Sequence, residues 1–106
     1  MANSKPRVWA DESGVWREDR PGAIFGIQWE EIFAISVQKI DLIDSESIVL
    51  SLDWDFGEYV EIVDFSIGFD QVVRKLEARY PEVADAFEAG VSRLEPGGSL
   101  TIWRRT

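Results

Sequence analysis

The run Ile48-Val49-Leu50-Ser51-Leu52-Asp53-Trp54-Asp55-Phe56-Gly57-Glu58-Tyr59-Val60-Glu61-Ile62-Val63 joins two segments of period-two alternation through an acidic, glycine-containing turn. Ile48, Leu50, Leu52 and Trp54 share one parity in the first arm, opposite Val49, Ser51, Asp53 and Asp55. Val60 and Ile62 share one parity in the second arm, opposite Tyr59, Glu61 and Val63. Such alternation predicts a β-hairpin with one buried face. Phe56-Gly57 sits at its tip, where glycine tolerates the positive φ of a tight turn.

Downstream, Phe69, Val72, Val73, Leu76 and Tyr80 recur at helical spacing, which predicts an amphipathic helix over Phe69–Tyr80 ended by Pro81. A second helix is expected over Glu82–Leu94, with Val83, Ala86, Phe87, Val91 and Leu94 inward and Gly90 allowing close packing. Glu95-Pro96-Gly97-Gly98 breaks it, and Ser99–Arg105 has the pattern of a last strand.

Upstream, Val8-Trp9 and Val15–Glu18 are short extended pieces separated by a Ser-Gly break, followed by the turn Asp19-Arg20-Pro21-Gly22. Ala23–Gln28 and Ile32–Ile40 are expected as strands apolar on both faces, with Trp29-Glu30-Glu31 between them as a turn or single helical turn. Asp41–Ser47 is expected as a polar loop, and residues 1–6 as a flexible leader. Strands first and helices late argue for an α+β fold rather than a parallel βαβ sheet. The expectation is one domain over residues 1–106: an antiparallel sheet of about five strands, two helices from the C-terminal half packed on one face, and a final strand.

The 106 residues include no cysteine and no histidine. Disulfides, thiolate nucleophiles, thiolate metal sites and histidine-based catalysis are thereby excluded. With no Gly-rich phosphate loop and no nucleophile elbow, the expectation is that the chain is not an enzyme and uses no cofactor. Twenty acidic against eleven basic residues give a formal charge of −9. That charge disfavours nucleic acids and anionic membranes and favours a basic partner. The absence of a secretory apolar core near Met1, and of any long apolar run, makes the cytoplasm the expected location.

Two groups of residues stand out as candidate binding positions. The first is Asp53, Asp55, Glu58 and Glu61 on the hairpin, with Trp54 among them. Asp53-Trp54-Asp55-Phe56-Gly57 superficially has the look of a calcium loop, but a third ligand before the glycine is missing and bulky Trp54 and Phe56 intervene. No metal ligand set is therefore assigned. The second is Trp29, Glu30 and Glu31. Of the five tryptophans, Trp29 and Trp54 are the ones expected at the surface, where tryptophan beside acids would suit a basic, partly apolar protein. Arg7, Arg17, Arg20, Arg104 and Arg105 would gather into a basic edge if the terminal strands paired.

The phrase Ile27-Gln28-Trp29-Glu30-Glu31-Ile32-Phe33-Ala34-Ile35, followed by a hairpin and the helix Gly68–Leu76, resembles one found in small bacterial proteins of unassigned role. It is similar also to bacterial pleckstrin-homology-like domains. The resemblance covers Ala23 to Tyr80 and implies a binding scaffold without catalytic residues. The second helix and the strand ending Trp103-Arg104-Arg105 depart from that pattern. The expected function is an acidic protein-binding module, of adaptor or immunity/inhibitor type, for a basic protein. The alternative is a divalent-cation or small-ligand domain using the acidic hairpin over residues 53–64. The chain is expected as a monomer, or as a homodimer through an edge strand.

Overall fold

A computed structural model describes residues 5–54 and 57–105. Asp55 and Phe56, expected at or beside the hairpin tip, lie outside the described residues, as do residues 1–4 of the expected leader. Among the described residues the order is β1 (Arg7–Ala10), β2 (Gly14–Glu18), β3 (Ile24–Gln28), a 3-10 turn (Trp29–Glu31), β4 (Ala34–Asp41), β5 (Glu46–Asp53) and β6 (Tyr59–Val63). Helices α1 (Phe69–Arg79) and α2 (Pro81–Arg93) and strand β7 (Ser99–Arg104) complete it.

The α+β class and the two helices match the sequence expectation; the single five-stranded sheet does not. The strands form two antiparallel sheets, β1-β2-β3 and β6-β5-β4-β7. The division falls at the 3-10 turn. Gln28 caps that turn, and its N–H is taken by the Glu31 carboxylate. The chain thus leaves β3 in a new direction, and β4 pairs with β5 and β7 instead of with its predecessor. The expected loop at 41–47 shrinks in the same way. Asp41 pairs with Glu46, leaving a tight turn closed by reciprocal hydrogen bonds between Leu42 and Ser45. The terminal strands lie in different sheets, so the arginines near the two ends gather into no common edge.

One cluster of buried side chains joins both sheets and both helices. Ile35, Val37, Leu50, Leu52 and Ile62 come from the four-stranded sheet, Val8, Val15 and Ile27 from the other, and Phe69, Val72, Leu76 and Val83 from the helices. The alternation in the hairpin carries Leu50, Leu52, Val60 and Ile62 inward as predicted, while Val49, on the opposite parity, is buried as well. Truncating Leu52 to alanine would cost about 2–5 kcal/mol, the usual range for a fully buried leucine. Gly90 of α2 faces Leu100 of β7, where a Cβ would approach the leucine side chain to 2.6 Å.

The first sheet is tied to α1 by its outer strand. Val8 N–H donates to Ile67 C=O, and Ile67 N–H donates to Pro6 C=O. The Gln71 amide then bonds both backbone groups of Ala10, donating to its C=O and accepting from its N–H. Gly68, at the start of α1, has φ +94° and approaches Val8 C=O so closely that a Cβ would lie 2.2 Å from the oxygen. Positive φ and a backbone neighbour together leave no room for adjustment. Gly68→Ala should therefore destabilise the fold by about 2–4 kcal/mol in denaturant unfolding, whereas Gly57→Ala, also at positive φ but in open space, should cost only the backbone strain.

Candidate functional site

An open cleft of about 660 Å³ lies where the acidic hairpin meets the first sheet. One side is the run Gly57–Glu61 at the start of β6, with Trp54 just beyond the end of β5. The other is Arg17 of β2 and Phe25-Gly26 of β3. Its volume lies within the usual range for ligand-binding clefts.

Strand geometry explains what each residue presents. Arg17 and Phe25 are cross-strand partners on the same side as buried Val15 and Ile27. Antiparallel partners of this kind hold their side chains side by side, and the Arg17 guanidinium sits 5.9 Å from the Phe25 ring centroid. Arg17 reaches on to β6, where Nη1 donates to Glu61 C=O. Asp19 steadies the guanidinium, with Nε 2.9 Å and Nη2 3.1 Å from its two carboxylate oxygens. Phe25 and Tyr59 keep 54% and 58% of their surface exposed, and Ile24 beside Phe25 keeps 52%. Singly exposed apolar residues, as Ile24 is outside the lining, are ordinary; Phe25 and Tyr59 exposed together in one cleft are less so.

Of the positions singled out in the sequence, the structure gathers Trp54, Glu58 and Glu61 around this cleft. Trp54 is half-buried against the core, with one side left to the cleft. Asp53 lies outside the lining: its carboxylate accepts from the Ser51 hydroxyl at 2.8 Å, and its C=O from Phe33 N–H. Asp55 lies outside the described residues. Glu30 and Glu31 are exposed on the 3-10 turn, away from the lining, and Glu31 is engaged in the capping box. Among the described residues no group of three or more acids stands close enough to share a metal ion.

Trp29 is a correction. Expected at the surface, it is only 4% exposed. Its indole N–H donates to Asp11 C=O at 2.7 Å, its ring meets Tyr80 edge-on, and the Arg79 guanidinium covers it at 4.7 Å from the centroid. A tryptophan with its indole N–H satisfied and almost none of its surface exposed is a core residue. Its acidic neighbours in sequence misdirected the expectation, because the 3-10 turn points Glu30 and Glu31 outward and Trp29 inward.

Asp11 organises the same corner. Its Oδ1 accepts from the Ser13 hydroxyl and N–H, from Gly14 N–H and from the Trp16 indole. These donors, the Ser13 hydroxyl and Trp16 indole foremost, favour the ionised form and hold the carboxyl at about 2. Phe25, Gly26 and Tyr59, all part of the cleft, were not singled out from the sequence, and Arg17 was named there only for a basic edge between the chain ends. Phe25 and Tyr59 read there as ordinary strand residues, and nothing local announces that two strands from separate sheets will meet. No helix among the described residues is long and apolar enough to cross a membrane. No family model, curated protein or solved structure matches this chain.

Two outcomes follow from this corner. Trp29→Ala should lower stability by about 3–5 kcal/mol, as for a buried aromatic. The Asp11 carboxyl should titrate near pH 2 by NMR instead of near 3.8. Its folded-state pKa is depressed, so its contribution to stability is full above about pH 4, the unfolded value, and lost as pH falls to about 2. Asp11→Asn should abolish that part of the acid dependence.

Proposed function

We propose that this chain is a non-catalytic binding module, of adaptor or immunity/inhibitor type, that takes a basic protein partner at the cleft between hairpin and first sheet. The observation that carries the proposal is the convergence of Glu58 and Glu61 with the aromatic rings of Phe25, Trp54 and Tyr59 on one open concavity. Acids at the rim would steer and orient a basic chain, and the exposed rings offer rigid apolar contact area at low entropic cost. The formal charge of −9 adds a long-range field of the same sign. A chain without histidine or cysteine lacks the commonest acid–base and nucleophilic groups, which favours binding over catalysis. A binding scaffold is also what the resemblance to pleckstrin-homology-like domains implies, and the cytoplasm is the proposed setting.

Arg17 limits the attraction. It places one positive charge in the cleft, but Asp19 pairs with it, so the Glu58 and Glu61 carboxylates remain available to a partner. Immobilised protein should retain a basic partner at ~50 mM salt and release it at ~500 mM, as screening predicts for exposed charges. The double charge reversal Glu58→Lys with Glu61→Lys should abolish retention while leaving the thermal midpoint within a few degrees of the parent. Retention indifferent to both salt and charge reversal would sink this function.

A further inference from the structure

We propose that the partner enters as an extended segment of alternating basic and apolar residues, adding a strand to the outer edge of β6. This rests on the binding function above and specifies its mode. The hydrogen-bond parity of β6 is the starting point. Trp54 N–H donates to Glu58 C=O and Asp64 N–H to Ile48 C=O, so the even-numbered residues of this stretch are the ones bonded to β5. In an antiparallel ladder the groups of the alternate residues then point to the other side. Tyr59, Glu61 and Val63 therefore direct their N–H and C=O groups away from β5, at the edge of the sheet.

What meets those groups differs along the strand. Val63 C=O accepts from Ser66 N–H, and Glu61 C=O accepts from Arg17. No described group hydrogen-bonds to Tyr59 N–H, Tyr59 C=O or Glu61 N–H. The edge of β1 shows the contrast: there Val8 N–H donates to Ile67 C=O and the Gln71 amide bonds both backbone groups of Ala10. The open part of the β6 edge is also the part that lines the cleft. Exposed strand edges are templates for an added strand, and main-chain bonds to such an edge are an established source of peptide affinity.

Side-chain rows give the chemistry of the occupant. A strand laid beside β6 places alternate residues next to Tyr59 and Glu61, where a lysine or arginine meets a carboxylate and an aromatic face. Its intervening residues fall on the side of Val60, where Phe25 also lines the cleft, and an apolar side chain is favoured. Glu61 C=O can stay with Arg17, since Tyr59 supplies a donor and an acceptor and Glu61 a further donor.

The probe is an end-capped octapeptide of alternating lysine and valine, with a glutamate–valine octapeptide as control, each added to the intact protein at low salt. Amide hydrogen exchange at Tyr59 and Glu61 should slow by at least ~10-fold at saturation with the lysine peptide, and the glutamate peptide should leave it unchanged. Two further lysine peptides carry N-methyl groups at all lysines or at all valines. Because alternate N–H groups of a strand face one edge, one of these should lose binding by ~10-fold or more and the other should retain it. Binding of the lysine peptide with Tyr59 and Glu61 amides still exchanging freely, or equal tolerance of both methylation patterns, would overturn strand addition while leaving a basic partner intact. Failure of the lysine peptide to bind at all would overturn it too, and the salt-sensitive retention experiment above then decides separately on the basic partner.

Discussion

Backbone polar groups at the edges of two small sheets must be satisfied or left to solvent, and the way this chain does so shapes everything else. At the outer edge of β1 the hydrogen bonds with Ile67 and Gln71 close the ladder and bind the first sheet to the start of α1. That attachment demands the close approach of Gly68 to Val8, which in turn sets where α1 lies across the core. With α1 fixed, Phe69, Val72 and Leu76 join the buried cluster in which the three-stranded sheet shares one core with its neighbour.

The edge of β6 is treated differently. Arg17, anchored by Asp19, crosses from the first sheet to the Glu61 carbonyl and links the sheets with one charge-assisted hydrogen bond. The remainder of that edge opens into a cleft whose rim carries acids and whose walls carry exposed aromatic rings. Glutamates at an open edge discourage self-pairing between copies, and the same charges would welcome a basic chain. Protection from aggregation and selection of a partner therefore draw on one set of residues.

Most of the local structure was legible. The hairpin parity, the helical stripe from Phe69 to Leu76, the role of Gly90 and the break at Trp29-Glu30-Glu31 all follow from residue spacing and turn chemistry, and the structure has each of them. The partition into two sheets was not legible, because period-two alternation identifies strands without naming their partners. Trp29 was misjudged for a related reason: a residue between two strands and beside two acids reads as surface, and only the packing of Tyr80 and Arg79 against it makes it core. Of the candidate binding residues, Trp54, Glu58 and Glu61 came together because they are neighbours on one hairpin, while Phe25 and Arg17 reach the same cleft from a separate sheet.

Sequence by itself determined the secondary elements, the acidic character and the absence of histidine and cysteine chemistry, since each depends on residue type or on contacts within a few positions. Tertiary structure alone decided which strand edges are closed and which are open, and so where a cleft exists. Those outcomes depend on hydrogen bonds between residues far apart in the chain, such as Ala10 with Gln71 and Arg17 with Glu61, whose formation is governed by the geometry of the assembled core and leaves no periodic mark on the sequence.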